Sequence, residues 1–145
     1  MDAAVRRYVY GRLAEGEPAP SVAETAAALG VAADEAERSY RRLHDRRALV
    51  LRPGTSEIWM AHPFSAVPTD YAVEAADGRR WWANCAWDAL GIPAATAADA
   101  RATTRCADCG EPIELEVRGG EVVTGEAVTL FVVPAARWWH DIGFT

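Results

Sequence analysis

Lysine is absent: all 15 cationic residues of this chain are arginine, set against 21 acidic residues for a net charge of -6. Alanine is abundant as well, a pairing that reads as high-GC coding, so the choice of arginine carries no functional weight. Positive charge is in short supply where it would matter for nucleic acid. Residues 1–60 hold nine Arg against nine Asp and Glu, and residues 61–145 hold six Arg against twelve. Neither half has the basic balance that phosphate neutralisation requires. Long hydrophobic runs are missing too. No stretch approaches the roughly 20 apolar residues of a membrane span, and Met-Asp-Ala-Ala at the start is no basic-then-apolar leader. A cytoplasmic chain with no membrane partner is the expectation.

Cysteine is scarce, with only Cys85, Cys106 and Cys109. An odd count without a secretion leader argues against a disulfide framework and for free or metal-facing thiols. What the chain does have is bulk: half of its 145 residues are hydrophobic. That suffices for one ordinary domain, or two small units sharing a core, without disulfide staples.

Val5, Tyr8, Val9 and Leu13 recur at helical spacing over 2–14, before Gly16 and the Pro18–Pro20 stretch break the pattern. Ser21 reads as an N-cap for a helix that closes at Gly30, and a second capped helix is expected from about Asp34 through Leu43. Two short helices around a Gly-containing turn suggest helix-turn-helix packing. The runs 48–51 and 57–60 around Pro53-Gly54-Thr55 read as a strand pair, which completes a winged-helix shape. The second half opens near Pro63 with a strand at Tyr71–Ala75, a turn at Asp77-Gly78 and the pair Trp81-Trp82. Ala83–Leu90 reads as a short helix capped by Asn84 and ended by Gly91 and Pro93. Further strands are expected at 102–105, 113–117, 122–123 and 128–133, as in an antiparallel sheet. The Ala-rich stretch 94–102 reads as a loop or a poor helix. The fold class is therefore α+β: an N-terminal winged-helix-like unit over 1–62, followed by a mixed, largely antiparallel unit with short helices over 63–145.

Cys85 falls in the first turn of the Ala83–Leu90 helix, where the positive end of the backbone dipole and unpaired N–H groups favour thiolate over thiol. Asp88, three residues on, shares its face and can reach whatever the sulfur binds. Read from the residues alone, the spacing is weak, since a short-helix cysteine is more often a small buried hydrophobe.

Three further features compete. Cys106-Ala107-Asp108-Cys109-Gly110 has the C-x-x-C-G form of a zinc knuckle, but a structural zinc needs about four ligands and no second pair exists. His62, His140 and Asp141 could complete such a site, although isolated histidines are usually surface or core groups. Arg38, Arg41, Arg42, Arg46 and Arg47 cluster near the second helix of the helix-turn-helix, yet helical spacing spreads them around the surface, and DNA binding is not favoured. Trp81-Trp82, Trp87 and Trp138-Trp139 could line an apolar pocket or simply be core.

Asn84-Cys85-Ala86-Trp87-Asp88-Ala89-Leu90-Gly91-Ile92-Pro93 resembles the stretch of organomercurial (alkylmercury) lyases in which a cysteine, two residues, an aspartate and then a proline surround the metal. Thr103-Thr104-Arg105-Cys106 with Gly110-Glu111-Pro112-Ile113 is similar to that family's next strand and turn, and Phe131-Val132-Val133-Pro134 resembles its late core strand. The resemblance implies protonolytic cleavage of a carbon–mercury bond, with Cys85 as the thiolate that takes the mercury and Asp88 as the proton relay. Mercury then enters with the substrate, a small organomercurial, and leaves to a thiol acceptor; no separate cofactor is implied. The resemblance further implies a second metal-holding cysteine after the Trp138–Thr145 segment, and none stands there in these residues. Two alternatives follow: a relative that uses Cys85 and Asp88 on a non-mercury substrate in specialised metabolism, or a non-catalytic metal- or DNA-binding regulator.

Overall fold

The computed structural model describes residues 1–125 and 127–143. Three helices lead the chain: α1 (Asp2–Ala14), α2 (Val22–Leu29) and α3 (Ala33–Asp45). Ser21 does cap α2. Its hydroxyl accepts from the Glu24 N–H at 3.2 Å while the Glu24 carboxylate accepts from the Ser21 N–H at 2.8 Å, a closed capping box. Gly30 ends the helix in the left-handed region at φ 65°, where a side chain would be strained. The next helix starts a residue earlier than expected. Ala32 is its N-cap and, with only a methyl group, supplies no side-chain bond; Asp34, in the first turn, pairs with Arg38.

Among the described residues, eight strands follow in one antiparallel sheet, in the order β1-β2-β3-β5-β4-β6-β7-β8. Their spans are β1 Val50–Leu51, β2 Ile58–Ala61, β3 Phe64–Ser65, β4 Tyr71–Ala75, β5 Arg80–Ala83, β6 Ala100–Arg105, β7 Pro112–Arg118 and β8 Glu121–Thr124. The architecture is thus α+β with an antiparallel sheet. Helix α4 (Ala86–Thr96) packs against β4, β5 and β6. One buried cluster runs from Val5, Val9 and Leu13 of α1 through Tyr40 and Leu43 of α3 to Val73, Trp81, Ile92 and Ala102. Burial of each such large side chain contributes roughly 1.5–3 kcal/mol. The polar tips inside it are satisfied: Tyr40 Oη donates to the Pro20 carbonyl at 2.9 Å, and Trp81 Nε1 donates to that of Leu13 at 2.6 Å.

Helix α4 does not stop at Gly91 or Pro93. It runs on to Thr96, because Ile92 and Pro93 are buried against the sheet and that packing outweighs the loss of one backbone donor at proline. Thr96 Oγ1 returns a bond to the Ile92 carbonyl at 2.8 Å. Glycine at 91 has a local purpose, since a Cβ there would sit 3.2 Å from Pro63 Cβ. The expected strand at 128–133 is absent. Val128, Leu130 and Val132 are largely exposed, and the stretch, including the resemblance's late core strand at Phe131–Val133, crosses the end of the sheet instead of pairing with it. An apolar run signals contact with something, not β pairing. A 3-10 helix over Ala135–His140 then brings Trp138 and Trp139 back to the same end.

Candidate functional site

Strand β5 ends at Ala83, opposite Tyr71 of β4, and delivers Asn84 and Cys85 to the start of α4. Cys85 is the N-cap itself, one position before the helix, with extended backbone (φ -158°). Asn84 is therefore not the cap, and its side chain is used on Asp88. These residues line a cleft of about 460 Å³ together with Met60, His62, Tyr71 and Trp87, and the far wall is formed by Trp138 and Trp139. A larger hollow of about 600 Å³ lies elsewhere, over β4, β6 and β7, between charged side chains such as Glu74, Arg101 and Arg118. It holds no thiol, whereas Cys85 and Asp88 line the smaller cleft.

Asp88 is buried at 7% exposure and needs partners for its carboxylate. It has two. Asn84 Nδ2 donates to Asp88 Oδ2 at 2.9 Å, and His62 Nδ1 lies 3.0 Å from the same oxygen. Asn84 Nδ2 also reaches the Pro63 carbonyl at 3.3 Å. Turning the amide round would set its oxygen against the carboxylate, so Asp88 dictates its orientation. An ionised Asp88 likewise dictates the histidine tautomer: Nδ1 carries the proton and donates, and a protonated Asp88 would reverse that bond. His62 Nε2 and Asn84 Oδ1 are buried without a hydrogen-bond partner among the described residues.

The expectation of a ready thiolate at Cys85 is corrected. Burial pushes the Cys85 thiol up from its ordinary pKa, and the nearby Asp88 carboxylate pushes the same way. The N–H groups of Asp88 and Trp87 pull it down, without closing a side-chain capping bond. Desolvation is the largest effect and wins. Tyr71 feels the same enclosure: burial raises its phenol, and the charges of Cys85 and Asp70 add to that.

The tryptophans divide. Trp81 is core at 6% exposure, whereas Trp87 is 68% exposed and faces Phe131 edge-on at 6.5 Å. Phe131 lies 5.3 Å from Trp138, whose Nε1 donates to the Val133 carbonyl at 2.7 Å. Trp139 is covered by the Arg47 guanidinium at 5.3 Å and meets the His62 ring at 6.2 Å. The rest of the arginine cluster is occupied by acids: Arg38 pairs with Asp34 and Glu35, Arg41 with Glu37, Arg42 with Asp2 and Glu35, and Arg46 with Asp2.

Cys106 and Cys109 are not brought into this cleft. They occupy the β6–β7 turn, with Cys106 half-buried and Cys109 exposed. The N–H groups of Cys109 and Asp108, then the Cys109 thiol, hold Cys106 below the usual thiol range. Among the described residues, no group of three or more His, Cys, Asp or Glu could hold a metal ion, so neither His62 nor His140 joins the two thiols. His62 was singled out in the sequence only as a spare zinc ligand. Nothing local in the sequence marks it as the partner of Asp88, because the two meet across 26 residues.

The sheet-end cleft thus gathers a cysteine at a helix N-cap, a buried aspartate and aromatic walls. The comparisons name the class. The family described as MerB, alkylmercury lyase, matches residues 64–145, and the chain belongs to that family. Among solved structures, the fold is similar to a crystal structure described as the mercury-bound form of MerB2, with a TM-score of 0.69 and 25% identity. The match covers 86% of this chain, which spans 59% of the length of that one. No curated protein matches the chain.

Proposed function

We propose that the protein is an organomercurial lyase that cleaves a carbon–mercury bond by protonolysis, with Cys85 as the mercury-binding sulfur and Asp88 as the proton relay. The observation that carries this reading is the half-buried Cys85 sulfur lining an aromatic cleft beside the buried Asp88, whose carboxylate is held by His62 and Asn84.

The proton balance closes within this pair. As the soft mercury of R–Hg–X binds Cys85 sulfur, the thiol proton passes to Asp88. Asp88 then delivers it to the carbon as the C–Hg bond breaks, R–H departs, and mercury stays on Cys85 with X as its second ligand. A thiol that holds its proton until the metal displaces it suits this sequence, because the proton it loses is the one the carbon receives. His62 and Asn84 fix the carboxylate, and a bond to His62 that can run in either direction lets Asp88 hold the proton between the two steps. Trp138, Trp139 and Trp87 limit water around the developing carbanion. No resident cofactor is required, and a small thiol removes the metal. The winged-helix-like N-terminal unit serves as scaffold, with Arg38, Arg41, Arg42 and Arg46 paired to neighbouring acids. A cytoplasmic setting, where thiols stay reduced, suits the chemistry; no helix among the described residues is long and apolar enough to cross a membrane.

One observation favours a second reading, in which the same pair acts on a non-mercury substrate: Cys85 is the one thiol among the residues lining the cleft. The test is incubation with a simple aryl- or alkylmercury compound and excess small thiol. The lyase predicts release of free hydrocarbon that vanishes in Cys85→Ser, while Asp88→Ala binds mercury without releasing hydrocarbon. Mercury binding by the unmodified protein with no hydrocarbon would overturn it in favour of the second reading.

A further inference from the structure

We infer that Cys106 and Cys109 form a second, independent thiolate site that chelates a soft, two-coordinate metal cation, the mercuric ion in this family, and that it is the station to which mercury passes from Cys85. The binding site stands on its own geometry; the transfer rests on the lyase reading.

The turn is closed by two main-chain bonds. The Cys106 N–H donates to the Glu111 carbonyl at 2.8 Å, and the Gly110 N–H donates to the Cys106 carbonyl at 2.9 Å. Gly110 takes φ 74°, open to glycine at no cost, and Arg105 Nη1 braces its carbonyl at 3.2 Å. This clamp holds the two cysteines, three residues apart, on one closed turn between β6 and β7. Two thiolates are too few for structural zinc, which wants about four ligands. They are the complete ligand set of a mercuric ion, which is content with two sulfurs in line.

Position supplies the second argument. Strand β5 leaves the sheet at Ala83 toward Cys85, and β6 leaves it at Arg105 toward Cys106. In register, Ala83 faces Tyr71, and Thr103 faces Ala72 next to it. Both strands therefore exit at the same end of the sheet. They are separated only by β4, a lateral distance of roughly 10 Å for two strand spacings. The only other thiols in the chain are thus held beside the end of the sheet where the reaction leaves its metal. The exchange is neutral in electrons: mercury held by Cys85 sulfur and the ligand X moves to the Cys106 and Cys109 sulfurs, and of the two protons these thiols give up one returns to Cys85 and the other leaves with X.

The full chain carrying Cys85→Ser tests the site without any lyase chemistry. It is titrated with mercuric ion alone against excess small monothiol, reading mercury–sulfur charge-transfer absorption and metal retained after desalting. One ion retained per chain is expected. Adding Cys109→Ser should weaken retention on the order of 100-fold, the loss of a chelate partner, with the circular dichroism unchanged because Cys109 is exposed. No retention by Cys85→Ser, or retention indifferent to Cys109→Ser, overturns the site. For the transfer, unmodified protein is given one equivalent of an organomercurial without small thiol, and peptides are mapped for mercury. Metal on the 106–109 peptide supports transfer, and hydrocarbon released with mercury confined to Cys85 overturns it.

Discussion

Cys85 and the Cys106–Cys109 turn put the same functional group at one end of one sheet and drive it in opposite directions. Cys85 stands at a helix N-terminus, the position expected to favour thiolate, yet enclosure and the Asp88 carboxylate push its pKa up. Cys106 sits at an open hairpin turn, and the N–H groups of the turn draw it toward thiolate. A dipole at a helix end is a modest influence, and burial beside a negative charge outweighs it. The two settings suit two tasks. A thiol that must hand a proton to Asp88 benefits from holding that proton, and a pair that captures metal benefits from exposed sulfur.

The largest effect expected from breaking this contrast is on turnover. Asp88→Asn should lower hydrocarbon release by about 100-fold or more, as loss of a general acid does, while leaving mercury capture at the 106–109 turn unchanged. Single-turnover gas analysis beside metal retention checks both halves. Next in size is Ile92→Ala, which hollows the seat of α4. It should cost about 2–5 kcal/mol in denaturant unfolding, a loss that the exposed Val123→Ala should not reproduce.

Thiol reactivity sharpens the contrast further. In alkylation followed by peptide mass spectrometry, Cys106 should react at lower pH than Cys85, whose midpoint lies above the ordinary thiol value. The Asp88 carboxylate raises the Cys85 pKa, so Asp88→Asn should lower that midpoint and speed alkylation of Cys85 at pH 8. No change on removing the carboxylate would mean that burial alone sets it. The smallest effect is reserved for His62, a positioning residue: His62→Gln should reduce kcat about tenfold and reshape its pH profile with little change in KM. A loss confined to KM would instead place His62 among substrate contacts.

Local signals in the chain carried far. The Ser21 box and Gly30 located α2, and alternation located β4 and β6, because each depends on residues within one turn or one hairpin. Boundaries that depend on distant packing were not legible. Pro93 looks like a helix end until Ile92 is seen buried against the sheet. The run 128–133 looks like a strand until it is found lying across the Cys85 end, where Phe131 meets Trp87 and Trp138.

The sequence by itself determined the class of fold, the family and the two residues on which the chemistry is proposed to turn, since these are written in short patterns of side-chain type. Only the tertiary structure decided the state of the thiol and the identity of its neighbours. Protonation depends on how much water is excluded and which charges stand within a few ångströms. Those distances join residues as far apart as His62 and Asp88, which come together only once the sheet is built.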